Sequence, residues 1–181
     1  MGVMATVARL LTVEDFMALP QPAAGARQEL HHGELVEMPP VKHLHTKAQR
    51  CLMDALRGVL QRQYLLEKEF PFRPLPQYEA WIADVAVVDR ERDQSTADDD
   101  YFRGVPEIVI EVLSPSNTAS EMLEREAICL RHGGREFWLC DPVQRTVKVT
   151  TAEGQSRIYG VGEILPMTDF GGPVAVESLF G

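Results

Sequence analysis

The chain has 181 residues, 45% hydrophobic and 25% charged, proportions that fit one folded domain with a real core and exclude a disordered or fibrous class. Its formal net charge of -9 argues against broad attraction to nucleic acid, because non-specific binding depends on Lys and Arg neutralising phosphates, although a local basic groove stays open. No apolar run approaches the roughly 18 residues that span a bilayer, and Met1–Leu11 lacks an apolar signal core, so a cytoplasmic protein without a membrane partner is expected.

In chain order, Thr12-Val13-Glu14-Asp15 pairs a capping residue with acids and opens a short helix that the stretch from Pro20 to Gly25 ends. Gln28 to Met38 reads as a hairpin turning at His32-Gly33, and Pro39-Pro40 stops it. From His43 to Tyr64 apolar residues recur every three or four positions, which predicts an amphipathic helix of about six turns. Strands are expected at 66–74, 81–88 and 106–113. Between the last two, Asp89 to Gly104 has no apolar period and reads as an exposed loop. Ser114 to Thr118 breaks the strand, Ala119 to His132 reads as helix, and Gly133-Gly134 closes it. Strands follow at 136–141, 145–151 and 156–160, with further short apolar strands at Val174-Ala175-Val176 and Leu179-Phe180. No repeat or linker divides the chain, so residues 1–181 are read as one domain: a helix and hairpin over 1–40, then a core over 41–181. The element order implies a mixed sheet flanked by helices.

Three cysteines, Cys51, Cys129 and Cys140, are widely spaced with no metal-ligand spacing and read as buried free thiols in a reducing compartment. Two basic groups, Lys42-His43-His45-Lys47-Arg50 and Arg125-Arg131-His132-Arg135, read as solvated helix faces. Phe137 and Trp138 sit in a continuous apolar strand and read as core.

Two features stand out against this background. The segments Ile82–Val88 and Glu107–Leu113 carry acids, Asp84 and Glu111, inside apolar runs where a carboxylate is costly unless paired, hydrogen-bonded or bound to a cation. If the strands pair, two hard oxygens converge with the backbone carbonyl of Val112, a partial ligand set for Mg²⁺ or Mn²⁺. Two solvated strand-end acids are the other reading of the same residues.

An acid on one strand, a Glu on the next and then a helix resembles the PD-(D/E)xK restriction-endonuclease-like superfamily, and more closely its Uma-two family of bacterial proteins. The match is carried by Leu11–Phe16, Gln28–Met38, His45, Ala83–Val88, Pro106–Ser116 and Glu136–Pro142, an ordered set through nearly the whole chain. The resemblance implies an α/β (α+β) fold, a restriction-endonuclease-like mixed sheet flanked by helices with an added N-terminal hairpin. It implies that Asp84 and Glu111 are metal ligands. It aligns Arg125 with a lysine on the following helix, which in this family stands in for the lysine expected at position 113, here Leu113. Arginine keeps its proton and can only hold charge or clamp a phosphate. His45, a potential proton donor to a leaving 3′ oxygen, and Glu29 match further family positions and are candidates for the same cleft. Other departures are Ala83 in place of the motif Pro and Glu121 where the family often has Asp. His31, His32 and His43 are assigned no role.

The function these features imply is a Mg²⁺- or Mn²⁺-dependent endonuclease acting on DNA, without an organic cofactor. The alternative is a catalytically degenerate binding or assembly module, suggested by Arg125 and the acidic charge. A glycosidase built on the two acids lacks an aromatic-rich sugar cleft in the sequence. The hairpin and the C-terminal apolar strands also suggest edges that a homodimer would cover.

Overall fold

The computed structural model describes residues 9–20, 22 and 26–181. The first eight residues and most of the expected Pro20–Gly25 stop therefore lie outside the described residues.

Helix α1 (Val13–Met17) starts where the sequence places it. Thr12 Oγ1 accepts from Asp15 N and the Asp15 carboxylate accepts from Thr12 N, both at 3.1 Å, a reciprocal cap that satisfies two otherwise orphaned donors. Strands β1 (Arg27–His31) and β2 (Glu34–Met38) form the expected hairpin. Its turn residues, His32 and Gly33, both have positive φ, 51° and 77°, as the two-residue turn matching strand twist requires. Helix α2 (His43–Arg57) is shorter than expected, because the chain leaves the helix at Gly58 and Tyr64 already begins a strand. The apolar period continues past Gly58 because Val59 and Leu60 still pack on the core.

Strands β3 (Tyr64–Arg73) and β4 (Trp81–Asp89) follow. The expected loop from Asp89 to Gly104 instead holds helix α3 (Arg90–Gln94), capped by the Asp89 carboxylate, and strand β5 (Phe102–Arg103), which buries Phe102. Two neighbouring aromatic rings, Phe102 and Tyr101, anchor this polar run without any period. Strand β6 (Ile108–Val112) leads to α4 (Ala119–Arg131), then β7 (Glu136–Asp141), β8 (Thr146–Thr151) and β9 (Ser156–Tyr159), as the sequence pattern indicates. At the C-terminus, β10 (Ile164–Leu165) pairs with β11 (Val174–Ala175), and Val176–Leu179 form a 3₁₀ turn rather than a strand. Val174, Val176, Leu179 and Phe180 are buried in the core, so the C-terminal segment does not offer the apolar patch expected for a dimer.

The seven-stranded sheet has the order β5-β3-β4-β6-β7-β8-β9 and is mixed, with β3–β5 and β6–β7 parallel. One face packs Ala48, Leu52 and Leu56 of α2 against Val85, Val87, Ile108, Ile110 and Trp138. The other packs Cys129 of α4 against Ala83, Val109 and Phe137. Ala83 and Val85 should share a face in a regular strand, yet they lie in opposite clusters. The slip is centred on Asp84, which the β3–β4 register skips together with Glu69, and Glu69 has φ 52°. β4 pairs with β6 only from Val85 to Val87, so the two strands part where Asp84 and Glu111 stand.

The hairpin reaches this fork by bridging Leu30 to Ala80, with N–H···O distances of 2.8 and 3.0 Å, and Gly33 N donates to Tyr78 O at 2.9 Å. A Cβ on Gly33 would lie 2.7 Å from Leu10 Cβ, whereas one on Gly154, with a similar φ of 80°, would meet nothing within 4 Å. Gly33→Ala is therefore expected to lower stability by more than about 1 kcal/mol and by more than Gly154→Ala, measured by urea unfolding; equal losses would show that the hairpin is not held at this contact.

Candidate active site

Five elements deliver one side chain or more to the fork: β1 brings Glu29, α2 brings His45 and Gln49, β4 brings Asp84, β6 brings Glu111 and α4 brings Arg125. All six are buried.

Asp84 is held by hydrogen bonds. Its Oδ2 accepts from Val112 N at 2.8 Å, and its Oδ1 lies 2.9 Å from His45 Nε2. Gln49 Nε2 donates to Asp84 O at 3.2 Å and to Oδ1 at 3.4 Å. His45 and Gln49 are one helical turn apart on α2, so they meet Asp84 from the same side. The contact seen at Val112 is through its amide, while the sequence reading concerned its carbonyl.

Glu29 and Arg125 form a two-pronged pair. Arg125 Nη1 donates to Glu29 Oε2 at 3.0 Å and Nη2 to Oε1 at 3.1 Å, and Nη2 also donates to Ile82 O at 2.8 Å. The same carboxylate accepts from Ile82 N at 2.7 Å and lies 2.7 Å from His31 Nε2. Burial alone would raise the Glu29 carboxyl, but the Arg125 charge and the hydrogen bonds from His31 and Arg125 bring it down to about 2. The guanidinium lies 5.0 Å from the centroid of Trp81, on which the His31 ring also stacks at 5.5 Å. Arg125 is thus no part of a solvated face; Arg131, His132 and Arg135 are exposed.

Glu111 is the least satisfied member. Its Oε1 lies 2.8 Å from Arg125 Nε, but the pair is not aligned as a hydrogen bond and neither atom has another partner. Burial pushes the Glu111 carboxyl well above the usual carboxylate range, and the Asp84 and Glu29 carboxylates push it further while Arg125 opposes them. Burial would lower the Arg125 guanidinium, but Glu111 and Glu29 hold it above its ordinary value.

The structure brings together Asp84, Glu111, Arg125, His45 and Glu29, the residues singled out in the sequence. Gln49 went unnoticed beside the apolar residues of its helix, and His31, assigned no role in the sequence, lies beside the Glu29 it supports. Glu121, the departure noted on α4, is an exposed capping residue whose carboxylate accepts from Thr118 N at 2.8 Å. All three cysteines are free, and burial raises the Cys129 and Cys140 thiols. Among the described residues no three His, Cys, Asp or Glu side chains form a ready metal cluster, and no helix is long and apolar enough to cross a membrane.

A mixed sheet opened at a pair of acids, with a hairpin added at its N-terminal end, defines a nuclease-like α+β fold. The sequence matches Uma2, described as putative restriction endonuclease, over residues 13–173, and the chain belongs to that family. Its fold is similar to the crystal structure of a putative nuclease belonging to DUF820 from Anabaena variabilis ATCC 29413, with a TM-score of 0.75 and 20% identity over 94% of this chain and 97% of that one. No curated protein matches the sequence.

Removing Arg125 would strand two buried acids, so Arg125→Met is expected to cost about 3–5 kcal/mol in denaturant unfolding; a loss below about 1 kcal/mol would mean that the pair adds little. Glu111→Gln should act the other way. The fold keeps the Glu111 proton more firmly than the unfolded chain, so ionising it costs stability as pH rises above about 4.5. Glu111→Gln is expected to melt above the wild type at pH 8, with the gap closing towards pH 4; a gap independent of pH would overturn this reading.

Proposed function

We propose that the chain is a metal-dependent endonuclease that hydrolyses DNA phosphodiester bonds, with Asp84 and Glu111 as the protein ligands of Mg²⁺ or Mn²⁺ and the Val112 carbonyl as a further oxygen. The observation that carries this reading is Glu111: a buried carboxyl whose Oε1 has no hydrogen-bond partner, set at the strand fork beside Asp84. Carboxylate oxygens suit these hard ions, which keep several waters of their own. The residues present therefore fit the group. When bound, the ion supplies an activated water and charge stabilisation on the phosphoryl and leaving oxygens.

The protein's own groups take distinct parts. His45 and the Val112 amide orient Asp84, and Glu29 fixes Arg125 beside Glu111. Arg125 cannot serve as the base, and with Nη1, Nη2 and Nε all turned to neighbouring oxygens it acts as an internal cation rather than a free phosphate clamp. His45, with Nε2 at Asp84, is read as orienting that carboxylate in preference to protonating a leaving oxygen. The three free thiols support a cytoplasmic setting, and the exposed Leu35 and Val36 of β2 support a homodimer through the hairpin.

The same engagement of Arg125 favours the second reading, a binding module that kept the fold without turnover. Plasmid nicking in Mg²⁺ or Mn²⁺ separates the two. Wild-type nicking that falls about 100-fold or more in Asp84→Ala and Glu111→Ala, with unchanged circular dichroism, is the expected result. Cleavage surviving both substitutions overturns the nuclease reading, and Mn²⁺ binding without nicking, not rescued by Arg125→Lys, moves the protein to the second.

A further inference from the structure

Five buried side-chain polar atoms lack a hydrogen-bond partner among the described residues, and three of them, Gln49 Oε1, Glu111 Oε1 and Arg125 Nε, belong to the fork. The last two face each other at 2.8 Å. Gln49 Oε1 has no hydrogen-bond partner among the described residues, although the residue is fully buried. An enclosed acceptor without a donor is costly and calls for an explanation. Packing does not supply one: Ala48, Leu52 and Leu56 on this helix face are apolar, and His45, one turn earlier, is engaged with Asp84.

The orientation of the amide follows from its neighbours. Asp84 O and Oδ1 are both acceptors, so the nitrogen must face them, and the carbonyl oxygen is turned elsewhere in the same enclosure. An amide oxygen is a hard, neutral donor of the kind that completes carboxylate sites for small divalent ions. We propose that Gln49, through Oε1, is a third side-chain oxygen ligand for the cation held by Asp84 and Glu111. This assignment rests on the metal site proposed above and gives that site oxygens from α2, β4 and β6.

A purely structural Gln49 would only donate to Asp84, and the two roles respond oppositely to one substitution. Gln49→Glu removes the donor and sets a carboxylate against Asp84, which harms a structural role, but it offers a charged oxygen to a cation. Calorimetric titration of Mn²⁺ into wild type, Gln49→Leu and Gln49→Glu tests this. Binding weakened about 10-fold or more in Gln49→Leu and tightened in Gln49→Glu is expected, a range typical for residues that tune metal affinity. The melting temperature of Gln49→Glu should be low without metal and rise more with Mn²⁺ than that of wild type, a readout that serves even if this variant is unstable alone. Wild-type Mn²⁺ binding with Gln49→Glu equal or weaker, and no larger Mn²⁺-dependent rise in melting temperature, overturns the assignment and leaves the nuclease reading standing. No Mn²⁺ binding by wild type overturns the assignment and the metal site together, and nicking by that same sample then decides whether hydrolysis falls with them.

Discussion

Three buried carboxylates around one buried guanidinium set the terms for the centre of this molecule. Glu29, Asp84 and Glu111 cannot all be balanced by Arg125, and burying any of them without compensation would cost more than a domain of this size can spare. Each acid is settled differently. Glu29 takes the guanidinium in a two-pronged pair, and Asp84 is satisfied by an imidazole, an amide side chain and a backbone N–H. Glu111 receives a charge nearby but no aligned donor, so the unbalanced negative charge falls on it.

That balance explains features of the fold that packing alone does not require. The hairpin lies outside the main sheet, yet it inserts Glu29 between Ile82 and Arg125, tying the first described strand to β4 and α4. Trp81 receives both the guanidinium and the His31 ring, and its indole N–H donates to buried Glu79 at 2.9 Å, so the aromatic surface beneath Arg125 is itself fixed. The face switch at Asp84 carries the same logic. A regular strand would put Asp84 on the face opposite Ala83 and Val85 alike; the slip instead lets its carboxylate reach Val112 N across the open end of the β4–β6 ladder.

What was legible in the sequence was whatever breaks a local pattern. Asp84 and Glu111 were visible because an acid in an apolar strand is anomalous, and Thr12 because capping chemistry is local. The pairing of Arg125 with Glu29 spans 96 positions and leaves no local trace, so only the family resemblance placed them in one site. Gln49 was missed because a single uncharged polar residue hardly disturbs an amphipathic period, and His31 because its partner Glu29 and its stacking surface Trp81 meet only in the folded chain. The overlong reading of α2 has a related cause: Val59 and Leu60 keep the hydrophobic rhythm after Gly58 has ended the helix, since burial continues where helical geometry does not.

Arg125, which the family resemblance aligns with a lysine, is best understood through this charge balance. A buried lysine can give up its proton and so lets a site choose between a neutral and a charged state, whereas the two acids beside Arg125 hold its proton more tightly still. The adjustable charge in this site is therefore on Glu111, whose carboxyl is raised by burial and by the neighbouring acids, and the cation at Arg125 is permanent. With that guanidinium paired to Glu29 and only misaligned with Glu111, the charge of the two strand acids is partly offset, a setting that would suit the divalent ion proposed above. On the proposed nuclease reading, arginine where the family resemblance expects lysine would remove a base from the site while leaving the Asp84 and Glu111 oxygens for a divalent ion.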